Sequence, residues 1–203
     1  TSDNDYKAGS IKKSIDSLLI ELNKQMSTWD PESEISKFNG WNSKVPFAVS
    51  DDFLNVVKKS ITISRNTGGL FDPTVYDLMS LWGFGPNPRS GFPNIEDVHR
   101  VLEHTGIGQI EVTDSVLVKS NKMCKLDLNA IAKGYGVDKI FELLNQKGFN
   151  NIFVEIGGEV KCFGKNINNK SWSIGIEDPN DDGNYQKNIS AIISVANGAI
   201  ATS

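Results

Sequence analysis

Histidine and cysteine are both scarce in this sequence, with two of each in 203 residues. His99 and His104 fall in one polar stretch with helical patterning, which argues against a histidine-based metal centre or a Ser-His-Asp triad. Cys124 and Cys162 lie far apart and lack metal-ligand spacing. Two buried thiols or one disulfide would satisfy that pattern, and the strand-like runs around both residues favour buried thiols. No run of lysine and arginine occurs and the formal net charge is −4, so nucleic acid is not expected as the main partner. No apolar run approaches the length of a membrane span. No signal peptide, internal repeat or low-complexity segment is legible, and the lack of a signal leaves the compartment undecided.

What is present is ordinary for a globular protein: 38% hydrophobic and 23% charged residues, 18 glycines and 7 prolines. The length suffices for one sizeable core or two small lobes. Ile11, Ile15, Leu18, Leu19, Leu22 and Met26 recur at helical spacing and predict a long amphipathic helix. Pro31 disfavours helix at Asp30. A short helical turn is expected over 33–39, stopped by Asn39-Gly40. Ser50 is placed to cap a second helix with Phe53, Val57 and Ile61 inward, ended by Thr67-Gly68-Gly69. A turn of helix follows through Val75, Leu78 and Met79, and a third helix runs from Ile95 to His104, closed by Gly106.

The rest reads as mainly strand. A hairpin is expected over Gln109–Val112 and Val116–Lys119, a strand over Lys125–Leu128, and further strands over 151–156, 159–163 and 172–177. Asp178 to Asn184 reads as an exposed polar turn. Ile189–Val195 and Ala199–Thr202 read as a last hairpin over Asn197-Gly198. The expected class is α/β with a mixed or antiparallel sheet, helices in the first half and strands in the second.

The stretch Asp127 to Asp138 carries the most chemistry. It leads from the expected strand into a helix with Val137, Ile140, Phe141 and Leu144 on one face. A helix N-terminus presents unpaired N–H groups and a positive dipole end, a natural seat for phosphate. Lys133 sits near that end, where a cation is poorly placed for the dipole alone and better placed beside an anion. Equally, Asp127 can cap the helix, Lys133 can be solvated, and Gly134 and Gly136 can serve packing. Trp29 offers an indole face for a flat ligand ring, or packs on the first helix. Asp72 caps the turn after Pro73, or accepts from a ligand hydroxyl or imide. Leu81-Trp82-Gly83-Phe84-Gly85 is more simply a packed loop than a contact surface. Glu155 and Glu159 flank a tight Gly157-Gly158 turn, as acid/base or cation ligands or as two solvent-facing hairpin ends.

Seven segments in order carry a resemblance: Met26-Ser27-Thr28-Trp29, Ser33 to Asn39, Phe71-Asp72-Pro73-Thr74, Leu81 to Pro86, Asp127 to Asp138, Val154 to Glu159, and Ala201-Thr202-Ser203. Together the chain resembles the ApbE-like flavin transferases, the FAD:protein FMN transferase family. The resemblance implies an α/β fold with a mixed sheet flanked by helices, T-fold-like, as one flavin transferase domain over residues 1–203. It implies FAD as substrate in a cleft, magnesium at its pyrophosphate, and transfer of FMN to a Thr or Ser hydroxyl of an acceptor flavoprotein with release of AMP. A subunit of an ion-pumping redox complex is such an acceptor. Hydrolysis of FAD to FMN and AMP is the alternative within the family, and FAD binding without turnover is the alternative outside it.

By the same resemblance, Trp29 matches an aromatic position near the flavin or adenine. Leu70, Phe71 and Asp72 match an FAD-contacting segment, and Asp127 and Lys133 match FAD contacts. Ala130 matches a position whose main-chain carbonyl binds magnesium. Export to the periplasmic face of the inner membrane, with a lipid anchor outside this chain, is also implied. The family's opening Met-Gly-Thr strand is missing here. So are its later Gly-Tyr-Arg-like segment, its His…Asp-Pro-x-Thr-Gly motif and the Asp…Thr pair that ligates magnesium. The expectation is therefore a domain incomplete at both ends, with metal side-chain ligands beyond Ser203 and no assignable catalytic residue.

Overall fold

The computed structural model describes residues 2–178 and 189–202, which fall into two compact units, Thr1–Ala132 and Lys133–Ser203. The first unit opens with α1 (Ser2–Met26), the long helix its periodicity predicts, with Leu22 and Met26 buried. It ends before Pro31. The short helix α2 (Glu34–Gly40) is capped by Ser33, whose Oγ accepts from the Ser36 N–H at 3.1 Å and donates to the Ser27 carbonyl at 2.7 Å. Ile35 and Phe38 of α2 are fully buried.

Helix α3 (Asp51–Asn66) has the expected inward face, with Phe53, Val57 and Ile61 all buried, and Val56 joins them. Burial of each such side chain contributes about 1.5–3 kcal/mol. Ser50 stands at its N-cap but does not cap it. The Ser50 N–H and hydroxyl both donate to the Glu34 carboxylate, each at 2.6 Å. Glu34 therefore brings its negative charge to the N-terminal end of α3, where the dipole favours it.

The hairpin of β2 (Ile110–Thr113) and β3 (Val116–Lys119) forms as expected, with Asp114 at φ 50° in its turn. A two-residue strand that the sequence pattern did not announce, β1 (Phe47–Ala48), completes a sheet of order β1-β3-β2. Helices α4 (Tyr76–Leu81) and α5 (Ile95–Leu102) fill the interval between. The Leu81 to Gly85 segment is packed only in part: Leu81 is buried at the end of α4, and the Gly83 and Phe84 N–H groups donate back to Ser80 and Met79, but its aromatic side chains are not covered. Trp82, Phe84 and Phe92 are 53%, 57% and 93% exposed, and Trp82 meets Phe92 edge-on.

Residues 125–128 are not a strand. They are extended, with Leu126 and Leu128 fully buried, but no strand among the described residues pairs with them. The following helix α6 (Asn129–Gln146) ends before Gly148, whose φ of 85° suits a glycine stop.

In the second unit β4 (Ile152–Ile156), β5 (Glu159–Phe163) and β8 (Gly198–Ile200) form one antiparallel sheet, and β6 (Trp172–Glu177) pairs with β7 (Ile189–Val195) in another. The expected hairpin of β7 with β8 does not form. The free edge of β5 takes up Gly198–Ile200 instead, and the Asn197 side chain accepts from the Gly164 N–H at 3.0 Å. The turn expected from Asp178 to Asn184 lies, past Asp178, outside the described residues, as does Ser203. Cys124 and Cys162 are buried free thiols, as their surroundings predicted.

Candidate functional site

In the first unit the candidate residues gather around an irregular segment, 71–75, and the first turn of α4 that follows it. Asp72 Oδ1 accepts from the Thr74 N–H at 2.8 Å and its hydroxyl at 2.6 Å. The Thr74 oxygen in turn accepts from the Gly106 N–H at 2.6 Å. One turn later, Asp77 binds Lys125 Nζ at 2.8 Å through one oxygen and meets His104 Nε2 at 3.2 Å through the other. The Asp127 N–H donates to the Pro73 carbonyl at 2.7 Å. Residues 104–106 thus hold the segment on one side and residues 125–127 on the other.

Asp127 caps the start of α6. Its carboxylate accepts from the Asn129 N–H at 2.8 Å and the Asn129 side-chain amide at 3.2 Å. Asp72 uses one oxygen in its local turn. So both aspartates are already oriented by their neighbours, which fixes where any remaining lone pairs point.

The bonding role of Asn39 was missed in the sequence, where it stood as a helix stop and as the last residue of one of the seven segments. The residue is 7% exposed, and its side-chain amide pairs with the main chain of Leu126 in both directions, donating at 2.8 Å and accepting at 2.7 Å. The amide does for residue 126 what a neighbouring strand would do. This explains why 125–128 has a strand's alternation and no strand partner. An asparagine directly after the apolar Phe38 was the sign in the sequence, and it has commoner meanings.

Beside Asn39 lies Lys119, 1% exposed, with Nζ 3.4 Å from the Asn39 carbonyl and 4.6 Å from the centre of the Phe38 ring. Burial pushes its pKa from 10.5 down to about 8, with the positive charge of Lys125 adding to the fall and Cys124 and Asp77 opposing it. Burial likewise pushes the Cys124 thiol up to about 12, opposed by Lys119 and reinforced by Asp72 and Asp77.

Trp29 and Leu70 are not drawn into these bonds. Trp29 is 68% exposed rather than packed on α1, and Leu70 is 94% exposed. Phe71 is half-buried, with its N–H donating to Thr67 Oγ1 at 3.2 Å just after α3. Ala130 is exposed in the first turn of α6.

In the second unit Lys133 is not simply solvated. Its Nζ donates to the Gly157 carbonyl at 3.1 Å and lies 3.1 Å from Glu159 Oε1. Glu159 is mostly buried at its side chain, and Glu155 Oε1 accepts from the Gly158 N–H at 3.2 Å. Glu159 is therefore drawn in to the lysine, whereas Glu155 stays exposed at its end of the hairpin and serves the turn. An ammonium has three donors, and these two contacts use two of them.

Thr202 closes on the same turn. A Cβ placed on Gly158, whose φ is 93°, would collide with the Thr202 hydroxyl, whereas one on Gly157 would meet only the Lys133 stem at ordinary contact distance. Gly158→Ala is expected to cost about 1–3 kcal/mol of stability through strain and collision. Gly157→Ala, strained but not blocked, should cost clearly less. Urea unfolding of the two variants checks the order.

Among the described residues no three His, Cys, Asp or Glu side chains gather as a metal-ligand set. The Ala130 carbonyl is one oxygen, and magnesium takes six in near-octahedral array. These residues do not fit a magnesium ion by themselves.

A family model described as the ApbE family matches residues 2–203. A Vibrio cholerae protein named FAD:protein FMN transferase is 41% identical over 194 residues, covering 95% of this chain and 57% of the relative. The Haemophilus influenzae protein of the same name is 37% identical over 196 residues, covering 93% and 56%. The chain thus spans a little over half the length of these curated relatives. Among solved structures, the flavin transferase ApbE from Vibrio cholerae superposes with a TM-score of 0.88 at 40% identity, covering 96% of this chain and 62% of that one. The Pseudomonas stutzeri flavinyl transferase ApbE, apo form, superposes with a TM-score of 0.83 at 28% identity, covering 93% and 59%.

Proposed function

The chain belongs to the ApbE family, and on that premise we propose that the full-length protein transfers FMN from FAD onto a Thr or Ser hydroxyl of an acceptor flavoprotein. The observation that carries this reading is the continuous match over residues 2–203 to relatives named for that reaction. The acceptor hydroxyl oxygen forms a bond to the FMN phosphorus and gives up its proton to solvent, as the bond from that phosphorus to the bridging oxygen breaks and AMP leaves with the electron pair. The nucleophile belongs to the acceptor, so this chain need supply only binding, orientation and charge.

Trp29, Leu70, Phe71, Asp72, Asp127 and Lys133 are the proposed FAD contacts. Exposed apolar surface at Trp29 and Leu70 suits a flat ring system. The ammonium of Lys133 suits phosphate. For magnesium, the Ala130 carbonyl would supply one oxygen. The remainder would come from phosphate and from groups outside residues 1–203. We place the protein on the periplasmic face of the inner membrane, held by a lipid anchor outside this chain. No helix among the described residues is long and apolar enough to cross a membrane.

The test is mass spectrometry of the full-length protein incubated with FAD, magnesium and a candidate acceptor domain. A gain of one FMN on an acceptor Thr or Ser, lost on chelation, is expected. AMP and free FMN without labelling would mean hydrolysis, and intact bound FAD would mean a binding protein. Asp127→Ala and Lys133→Ala should each weaken FAD binding by roughly tenfold, about 1.4 kcal/mol, with the fold retained. Unchanged affinity in both would remove these residues from the site.

A further inference from the structure

A second feature of the first unit lies outside the flavin reading. A cavity of about 580 Å³ opens between α3 and β2. Lys58, Thr62 and Arg65 line it from the helix, and Ile110 and Val112 from the strand. In the sheet order β1-β3-β2, β2 is an edge, so one side of it lacks a strand neighbour among the described residues.

Which main-chain groups face that side follows from the register. The Ser120 N–H donates to the Gln109 carbonyl, and Ile110 stands opposite Lys119. In an antiparallel pair, hydrogen-bonded and non-bonded residues alternate. Gln109, Glu111 and Thr113 therefore turn their main-chain groups towards β3, and Ile110 and Val112 turn theirs away. The Ile110 N–H is used by the Ile107 carbonyl. The Ile110 carbonyl and both the N–H and carbonyl of Val112 remain. One further extended strand laid antiparallel along β2 would satisfy all three.

The charge of the groove indicates what that strand carries. Lys58 and Arg65, seven residues apart on α3 and so about 10 Å along its axis, form no ion pair among the described residues. They are exposed in a chain of net charge −4. The acidic lining residue, Glu111, is drawn across the sheet, with Oε1 3.4 Å from Ser120 Oγ. Thr62 is satisfied by the Lys58 carbonyl at 2.9 Å.

We propose that the groove between α3 and β2 docks an extended acidic segment of a partner polypeptide. The segment pairs with Ile110 and Val112 through its main chain, and its carboxylates reach Lys58 and Arg65. Strand addition of this kind draws affinity from main-chain bonds and selectivity from the flanking side chains. Attraction between exposed charges makes it sensitive to salt.

The test uses the full-length protein labelled with ¹⁵N and two acetylated dodecapeptides, one alternating Glu and Thr, the other Lys and Thr. The acidic peptide is expected to shift amide resonances of 58–65 and 110–113 and to slow hydrogen exchange at the Val112 N–H. Binding should weaken at least tenfold in Lys58→Glu/Arg65→Glu, a change confined to exposed side chains, and at least threefold between 0.05 and 0.3 M salt. Equal binding of the Lys-Thr peptide would overturn the proposal. So would binding unaffected by the charge reversal. Protection of the Val112 N–H without peptide would show the edge already covered by another part of the chain or a second copy, which also overturns it.

Discussion

Asn39→Leu is expected to be among the most damaging single substitutions in the first unit. The leucine is close in volume but makes neither bond to Leu126, and it leaves no room for a water to replace the amide. The Leu126 N–H and carbonyl are then buried without partners. Each such orphan costs about 1–3 kcal/mol, so the variant should lose roughly 3–5 kcal/mol in urea unfolding. For a chain of this length that corresponds to a melting temperature lower by roughly 10 °C.

The same substitution frees residues 126–127, and through the Asp127 N–H it loosens Pro73. FAD affinity should therefore fall by more than in Asp127→Ala, because the Asp72 and Asp127 segments lose their mutual position together. Titration of FAD fluorescence at a temperature where the variant is still folded separates that loss from instability. An Asn39→Leu protein with native stability would show that the amide pair contributes nothing.

Lys119→Met is expected to act in the opposite direction. Burial holds the folded Lys119 near a pKa of about 8, against 10.5 when unfolded. Each pKa unit corresponds to about 1.4 kcal/mol, so below pH 8 the buried charge costs roughly 3 kcal/mol. Its contacts with Phe38 and Asn39 are retained within that balance. Methionine has a similar shape and no charge, and should stabilise the protein by roughly 1–3 kcal/mol at pH 7.

The pH profile identifies the cause. Between pH 8 and 10.5 the unfolded Lys119 still holds a proton that the folded one has released, so the unfolded state binds more protons and stability rises with pH. Cys124 does the reverse. Its folded thiol keeps a proton up to about pH 12, whereas the unfolded thiol loses it from 9.0, so stability falls through that window. The wild-type curve should climb from pH 8 to 9, flatten to about 10.5, then descend. Lys119→Met should lose the climb and keep the descent. Urea midpoints at pH 7, 9 and 11 check this, and an unchanged climb in the variant would assign it to another group.

Much of the fold was legible because its signals are local. The apolar spacing of Leu22 and Met26, the Thr67-Gly68-Gly69 stop and the Asp114-Ser115 turn each act within a few residues, and all are seen in place. The α/β class followed from their order. Family membership was legible for another reason. Seven modest motifs in fixed order are improbable together even where each alone is ambiguous.

What only the tertiary structure decided are the choices between partners distant in sequence. The alternation at 125–128 cannot say whether a strand or an asparagine amide 87 residues away supplies its bonds. Ser50 looks like a cap until Glu34 takes its hydroxyl. Residues 198–200 look like the return of a hairpin until the edge of β5 takes them. Lys133 looks solvated until Gly157 and Glu159 close on it. In each case the local sequence fixes what a group is able to bond. Which able partner it meets depends on how the buried side chains bring remote segments together, and that is a property of the packed chain alone.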